Sequence, residues 1–188
     1  MLGTIILSMP FVQTRFAKYA TNTINKEYGT NINIDEIRLS LISWDVAIKG
    51  IYIEDFKKDT LFYIDELGTS VLSARNLANG RLEFGHIDID GLDFKLITYK
   101  DSISTNLEVF IDKLDDKKPR DPGTPPFFFS SSNVEIANST FKLIDENLEN
   151  KETLNFKKLK ISAEDFLILG PEVSTDIGAL SFIKEILR

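Results

Sequence analysis

Four stretches of this chain share one pattern, an apolar-x-apolar-x-small-x-x-apolar-x-apolar run with Gly, Asn or Ala at its centre. They are Val46-Ile48-Gly50-Ile53-Asp55, Ile87-Ile89-Gly91-Phe94-Leu96, Val134-Ile136-Asn138-Phe141-Leu143 and Leu159-Ile161-Ala163-Phe166-Ile168. Asp55 breaks the first copy at its last position. The second and third, IDIDGLDFKL and VEIANSTFKL, lie 47 residues apart at every matched position. Strict alternation marks a strand with one apolar face. In each copy the apolar set changes parity at the small residue, so a β-bulge or tight turn there returns every apolar side chain to one side. Repeated one-sided strands build extended sheets.

Composition narrows what such a sheet is for. The 188 residues fit one domain or part of a longer one, and 43% hydrophobic content with 14 Phe favours strands around a sizeable apolar face. A net charge of −7 argues against nucleic acid, which rewards Lys and Arg along a face. With no Cys there are no disulfides, no thiolate catalysis and no Cys-ligated metal.

Chemistry-bearing patterns are sparse. The one histidine, His86, falls on the polar face of an alternating strand and has no nucleophile partner in sequence. The pairs Asp88/Asp90, Glu54/Asp55 and Asp115/Asp116 suit a hard cation in type, but charge is expected on the polar face of a strand. Gly80 and Gly85 have neither the spacing nor the Lys of a phosphate loop. The expectation is a protein without catalytic residues, metal or cofactor.

Along the chain, Met1–Val12 is apolar and uncharged but short of the roughly 20 residues that span a bilayer. It reads as the remnant of a membrane anchor, a short signal-peptide core or a buried segment. Phe11–Tyr28 predicts a helix after Pro10, stopped by Gly29, with Val12, Phe16, Tyr19, Ala20 and Ile24 at helical spacing and Arg15, Lys18, Asn22 and Asn25 outside them. A helix of this kind caps the end of a sheet or lies on a membrane surface; its weak basicity favours the cap. Strands are expected from Asn31 onward, with Ala74–Asn79 a turn and Asn106–Leu114 a helix or a strand, its spacing slightly helical. Asp115–Pro126, with four Pro, is a charged loop. No Gly, Pro or polar tail marks the end at Arg188, which reads as cut off.

Several segments together resemble a known family. SMPFVQ at Ser8–Gln13, the amphipathic helix, the NINIDEIRLSL strand, LIDEN at Leu143–Asn147 and LILGPEVST at Leu167–Thr175 occur in the order found in the N-terminal part of TamB-like proteins of the AsmA group. The resemblance spans residues 8 to about 183. It implies a mainly β domain over 13–188, with an N-terminal amphipathic helix and a curved antiparallel or repeating sheet forming a β-groove or β-taco. It also implies single-pass attachment to the inner membrane through the N-terminus, with the β domain in the periplasm. Its expected role is non-enzymatic: sheltering phospholipid for transport between inner and outer membranes, or assisting outer-membrane protein assembly with a TamA-like barrel partner. The family has no catalytic residues to carry over.

The residues themselves leave three readings open. In the first, a groove lined by Ile87, Ile89, Phe94, Leu96, Val134, Ile136, Phe141, Leu143, Ile161 and Phe166 holds acyl chains. In the second, a sheet edge receives client strands by β-augmentation. In the third, the apolar faces close on each other as an ordinary β-sandwich.

Overall fold

The computed structural model describes residues 9–73, 75–76, 79, 81–114, 128–149, 152–169 and 172–184. The Pro-rich loop, the segment Met1–Ser8, half of the turn expected at 74–79, and the Gly170-Pro171 turn lie outside these residues. Helix α1 (Pro10–Tyr28) begins with Pro at its first position and ends at Gly29 in the left-handed conformation, φ 63°. Among the described residues seven strands follow: β1 (Asn31–Leu39), β2 (Asp45–Glu54), β3 (Thr60–Val71), β4 (Arg81–Thr98), β5 (Phe128–Asp145), β6 (Glu152–Leu169) and β7 (Glu172–Lys184), with helix α2 (Asn106–Leu114) between β4 and β5. They form one open, curved sheet in the order of the chain. No second sheet stacks on it among the described residues, so a closed sandwich is not the arrangement found.

The sheet is mixed. All neighbours are antiparallel except β4 and β5, which run parallel. A parallel pair needs a long crossover, and the connection between Thr98 and Phe128 supplies one that carries α2. The 47-residue repeat is the register of this pair: Ile87 lies beside Val134, Ile89 beside Ile136, Phe94 beside Phe141 and Leu96 beside Leu143. Two near-identical patterns that run in the same direction superpose residue for residue when the strands are parallel, as they do here.

The parity changes are real and lie in rows. Gly50, Gly91 and Asn138 have φ of 61°, 68° and 51°. The flanking pairs Ile34–Ile51, Ile51–Ile64 and Ile64–Leu92 put Asp35, Gly50, Asp65 and Gly91 on one line across β1 to β4. Each strand presents two successive residues outward there, and no register shift is needed because the neighbour does the same. The fourth repeat copy departs from this reading. Its parity changes at Asp165, φ 51°, not at Ala163, and Lys158, φ 50°, makes a further change that the sequence reading missed. β6 runs antiparallel to β5, so a motif read in the same chain direction meets the rows in reverse order.

Buried serines repair the ladder where the bulges interrupt it. Ser139, fully buried, accepts from Leu92 N at 3.1 Å and donates to Ala137 O at 2.6 Å. Ser131 donates to Gly85 O at 2.6 Å and lies close to Asn133 O at 2.8 Å. Buried backbone groups must find partners, and a short hydroxyl supplies them across the parallel pair.

The β1 flank of the sheet is closed by a helix. α1 lies along β1 and satisfies its outer edge with side chains instead of a strand. Gln13 donates to Leu39 O (2.8 Å) and accepts from Leu39 N (2.7 Å), and Asn25 does the same with Ile32 O and N, both at 2.8 Å. Thr14 Oγ1 accepts from Ile37 N at 3.1 Å. This capping blunts an edge that is otherwise a template for aggregation. The docked face of α1 is therefore the polar one. Asn25, expected outside, faces the strand, while Tyr19, expected on the packed stripe, is 74% exposed.

Candidate functional site: an open apolar trough

Aromatic side chains cross the apolar face in two lines. Phe62, Phe94, Phe141, Phe156 and Phe182 run from β3 to β7 with successive ring centroids 6.5, 5.4, 6.2 and 4.2 Å apart. Phe84, Phe129 and Phe166 form a second line on β4 to β6, at 5.4 and 5.9 Å. Spacings of this size are those of attractive aromatic pairs. Beside the second line lies a trough of about 500 Å³, lined by Val46, Ile48, Leu67, Thr69, Phe84, Ile87, Ile89, Phe129, Val134, Ile136 and Phe166. Its volume falls in the roughly 300–1,000 Å³ range of ligand pockets.

No lining residue is charged, and Thr69 alone carries a polar side-chain atom. Of the lining residues only Ile87 is buried, at 7% exposure; the others are half-buried, each keeping part of its side chain open to solvent. A closed core would bury them all. Among the described residues the trough has a floor and no roof.

Five of the ten residues expected to line a groove do so: Ile87, Ile89, Val134, Ile136 and Phe166. Phe94 and Phe141 sit in the first aromatic line, with Phe94 packed against the small core of Ile53, Leu61 and Phe110 under α2. Leu96 and Leu143, two residues further on, pair beside them, and Ile161 pairs with Ile136 from β6, the strand that also carries Phe166, but is not among the lining residues. The pattern missed Leu67, Thr69, Phe84 and Phe129. Phe84 and Phe129 have opposite parity to Ile87 and Val134 across a second bulge row, which hides them from a single alternating template.

One end of the trough face is fixed by a polar knot beneath α2. Asp55, 7% exposed, accepts from Tyr99 OH (2.5 Å), Asn106 Nδ2 (3.2 Å), Lys57 N (2.8 Å) and Asp59 N (3.1 Å). Asn106, fully buried, also donates to Lys95 O and accepts from Ile97 N. Burial, and then hydrogen bonds to Asp55 and Asp59, hold the Tyr99 hydroxyl far above its ordinary pKa. Asp55, the residue that breaks the first repeat copy, is thus the anchor of this knot. Helix α2 itself starts with a capping box: Glu108 N donates to Thr105 Oγ1 (3.2 Å) and Thr105 N to Glu108 Oε2 (2.7 Å). That Thr-x-x-Glu signal decides for a helix where spacing alone left the choice open.

On the opposite, polar face His86 pairs with Asp88 (2.5 Å) and Lys49 with Glu66 (3.3 Å). Among the described residues there is no group of three potential metal ligands, and no helix is long and apolar enough to cross a membrane. Comparison with protein-family models and with curated proteins finds no match for this chain.

Proposed function

We propose that this chain is a non-enzymatic module that shelters phospholipid acyl chains in the trough. In this reading it is the periplasmic part of an inner-membrane-attached protein of the TamB-like, AsmA-group kind, moving phospholipid between the inner and outer membranes. The observation that carries the reading is the uncharged, half-buried lining on a single open sheet. Each methylene taken out of water there contributes roughly 0.8 kcal/mol, without direction and with little difference between registers. A chain held by such contacts is retained yet free to slide, and its headgroup stays in water at the open side.

The reading is tested by a photoreactive amino acid placed at Ile89 or Val134 in cells. Crosslinks to phospholipid are expected there and not from Tyr52, which lies beyond the Gly50 bend of β2 and, between Ile51 and Ile53, faces the other side of the sheet. Equal labelling from both positions would contradict it.

A second reading has its own observation. Among the described residues β7 pairs only with β6, and it exposes Ile177 (65%), Leu180 (54%) and Ile183 (54%). An edge of this kind suits β-augmentation of an outer-membrane client, alongside a TamA-like barrel. Prolines along β7 then abolish client capture while phospholipid crosslinking at Ile89 persists.

A further inference from the structure

The trough floor is ruled by two rows of side chains that run across the strands. Val46, Thr69, Ile87 and Val134 stand side by side from β2 to β5, and Ile48, Leu67, Ile89 and Ile136 form a second row two residues away on each strand. Positions two apart on a strand lie about 6.6 Å from each other. The furrow between the rows therefore has the width of one hydrocarbon chain: carbons pack about 3.5–4 Å apart, and a second chain alongside needs that much again. Its length fits as well. Strands spaced about 4.8 Å apart carry the lining from β2 to β6 over about 19 Å, and a bilayer core about 30 Å thick allots about 15 Å to each chain.

Both flanks of the furrow are fenced. On one side stand Phe84, Phe129 and Phe166. On the other, across the bends at Gly50 and Gly91, the next apolar strip of β2 to β4 holds Ile53, Leu61, Phe62 and Phe94, and α2 covers it with Leu107 and Phe110. Leu61 is wholly buried there, so the strip has no room for a second chain over these strands.

The two ends differ. The rows reach β1 at Leu39 and Ile37, the partners of Val46 and Ile48. Beyond them stands α1, with polar groups that already serve this edge: Gln13 bonds Leu39 N and O, and Thr14 Oγ1 accepts from Ile37 N. At the far end the rows pass through Ala163 and Ile161 to Ile177 and Leu180 of β7, both more than half exposed. A charged or polar headgroup at the α1 end meets a wall whose hydrogen bonds are made. At β6 and β7 it meets water.

We propose that the trough holds a single acyl chain laid across the strands, methyl end at α1 and polar end at β6 and β7, and that α2 excludes a second chain beside it. This rests on the trough reading and narrows its ligand to one chain: that of a fatty acid, of a lysophospholipid, or one leg of a phospholipid whose other leg stays outside. α2 is then the element that sets how many chains enter, and α1 the element that sets which way the chain points.

The full chain, stripped of lipid, is given palmitic acid carrying a diazirine either at its methyl end or beside the carboxyl, irradiated, and mapped by peptide mass spectrometry. The methyl-end probe is expected on β1 to β3, near Ile48 and Leu67, and the carboxyl-end probe on β6 and β7, near Ile161 and Leu180. Native mass spectrometry should count one palmitate in the trough at saturation. Palmitic acid, palmitoyl lysophosphatidylethanolamine and dipalmitoyl phosphatidylethanolamine then compete with the probe, so the source of the chain is read from their order. The diacyl lipid should gain less than about tenfold over its lyso form, whereas a second sheltered chain adds about twofold to fourfold for every methylene. Ile48→Trp fills the closed end, and in a variant that melts like the wild type the preference for palmitic over the shorter lauric acid should shrink by about tenfold or more. Two palmitates labelling the trough, the same labelling pattern from both diazirines, or a diacyl lipid favoured by orders of magnitude would overturn the proposal. Failure of every fatty acid and lipid to bind would end the trough reading and this inference with it.

Discussion

Gly91 and Asn138, 47 residues apart, adopt the same left-handed backbone at equivalent positions of the parallel β4–β5 pair, with φ of 68° and 51°. Asn138 Nδ2 donates to Asp90 Oδ1 at 2.6 Å, tying the two bends together. The row they share redirects the strands so that Ile87 and Phe94, of opposite parity, stand on one face. Without it half of each long strand would turn its apolar side chains to water.

Gly91 is the most demanding position in that row. A Cβ there would collide with the Asp65 carboxylate and would also be strained by the positive φ. Gly91→Ala is expected to cost about 1–3 kcal/mol by chemical denaturation. Adding Asp65→Ala should recover part of that loss, since it relieves the collision but not the strain. Asn138→Gly should be nearly neutral by the same measurement, because glycine takes the left-handed conformation freely.

The knot at Asp55 gives a pH dependence with a definite sign. The Tyr99 pKa is raised in the folded state above its ordinary value near 10, so its contribution is complete below that pH and is lost as the pH rises further. Unfolding free energy should therefore fall on the alkaline side of pH 10. Tyr63, whose pKa is also raised by burial and then by the Asp65 charge, adds to the same trend. Tyr99→Phe should be less stable by about 1–3 kcal/mol at neutral pH, because a buried carboxylate loses a donor. Its stability should also decline less steeply above pH 10 than that of the wild type.

The α1 plug is tested by hydrogen exchange. Asn25→Ala removes both bonds to Ile32, and Gln13→Ala both bonds to Leu39. Amide protection at Ile32 and Leu39 should fall in the respective variants while that of β4 and β5 is unchanged. The double variant should aggregate on standing, as an uncovered strand edge does.

How much of this was written in the sequence depends on the range of the interaction. Alternation gave β1 to β6 and their apolar face, since a side-chain period of two is a local property. The 47-residue offset of copies two and three was legible as repetition, and in the structure it is also the β4–β5 register, which needs the parallel pairing that alternation alone does not specify. The trough lining was legible where one parity persisted, at Ile87, Ile89, Val134 and Ile136, and lost at Phe84 and Phe129, beyond a bulge without a glycine at positive φ. The orientation of α1 was misread because a helix was assumed to dock by its apolar stripe. What decides its orientation is the bare edge of β1, which wants the amides of Gln13 and Asn25, and that need exists only once the sheet is assembled.

A charge in the trough separates lining from core. Ile89→Asp replaces a half-buried side chain of the open floor, and the fold should survive it. Phe94→Asp strikes the core under α2 and should unfold that end as well, losing several kcal/mol, in the range of about 3–5 for removal of a buried Phe. Thermal melts of the two variants distinguish these outcomes.

The most direct test of the central claim is native mass spectrometry of the protein purified from bacterial membranes in mild detergent, with extraction and identification of any lipid. The account predicts phospholipid retained at a definite stoichiometry by the wild type and lost in folded Ile89→Asp. A folded wild-type protein free of lipid, or equal retention in the variant, would contradict it.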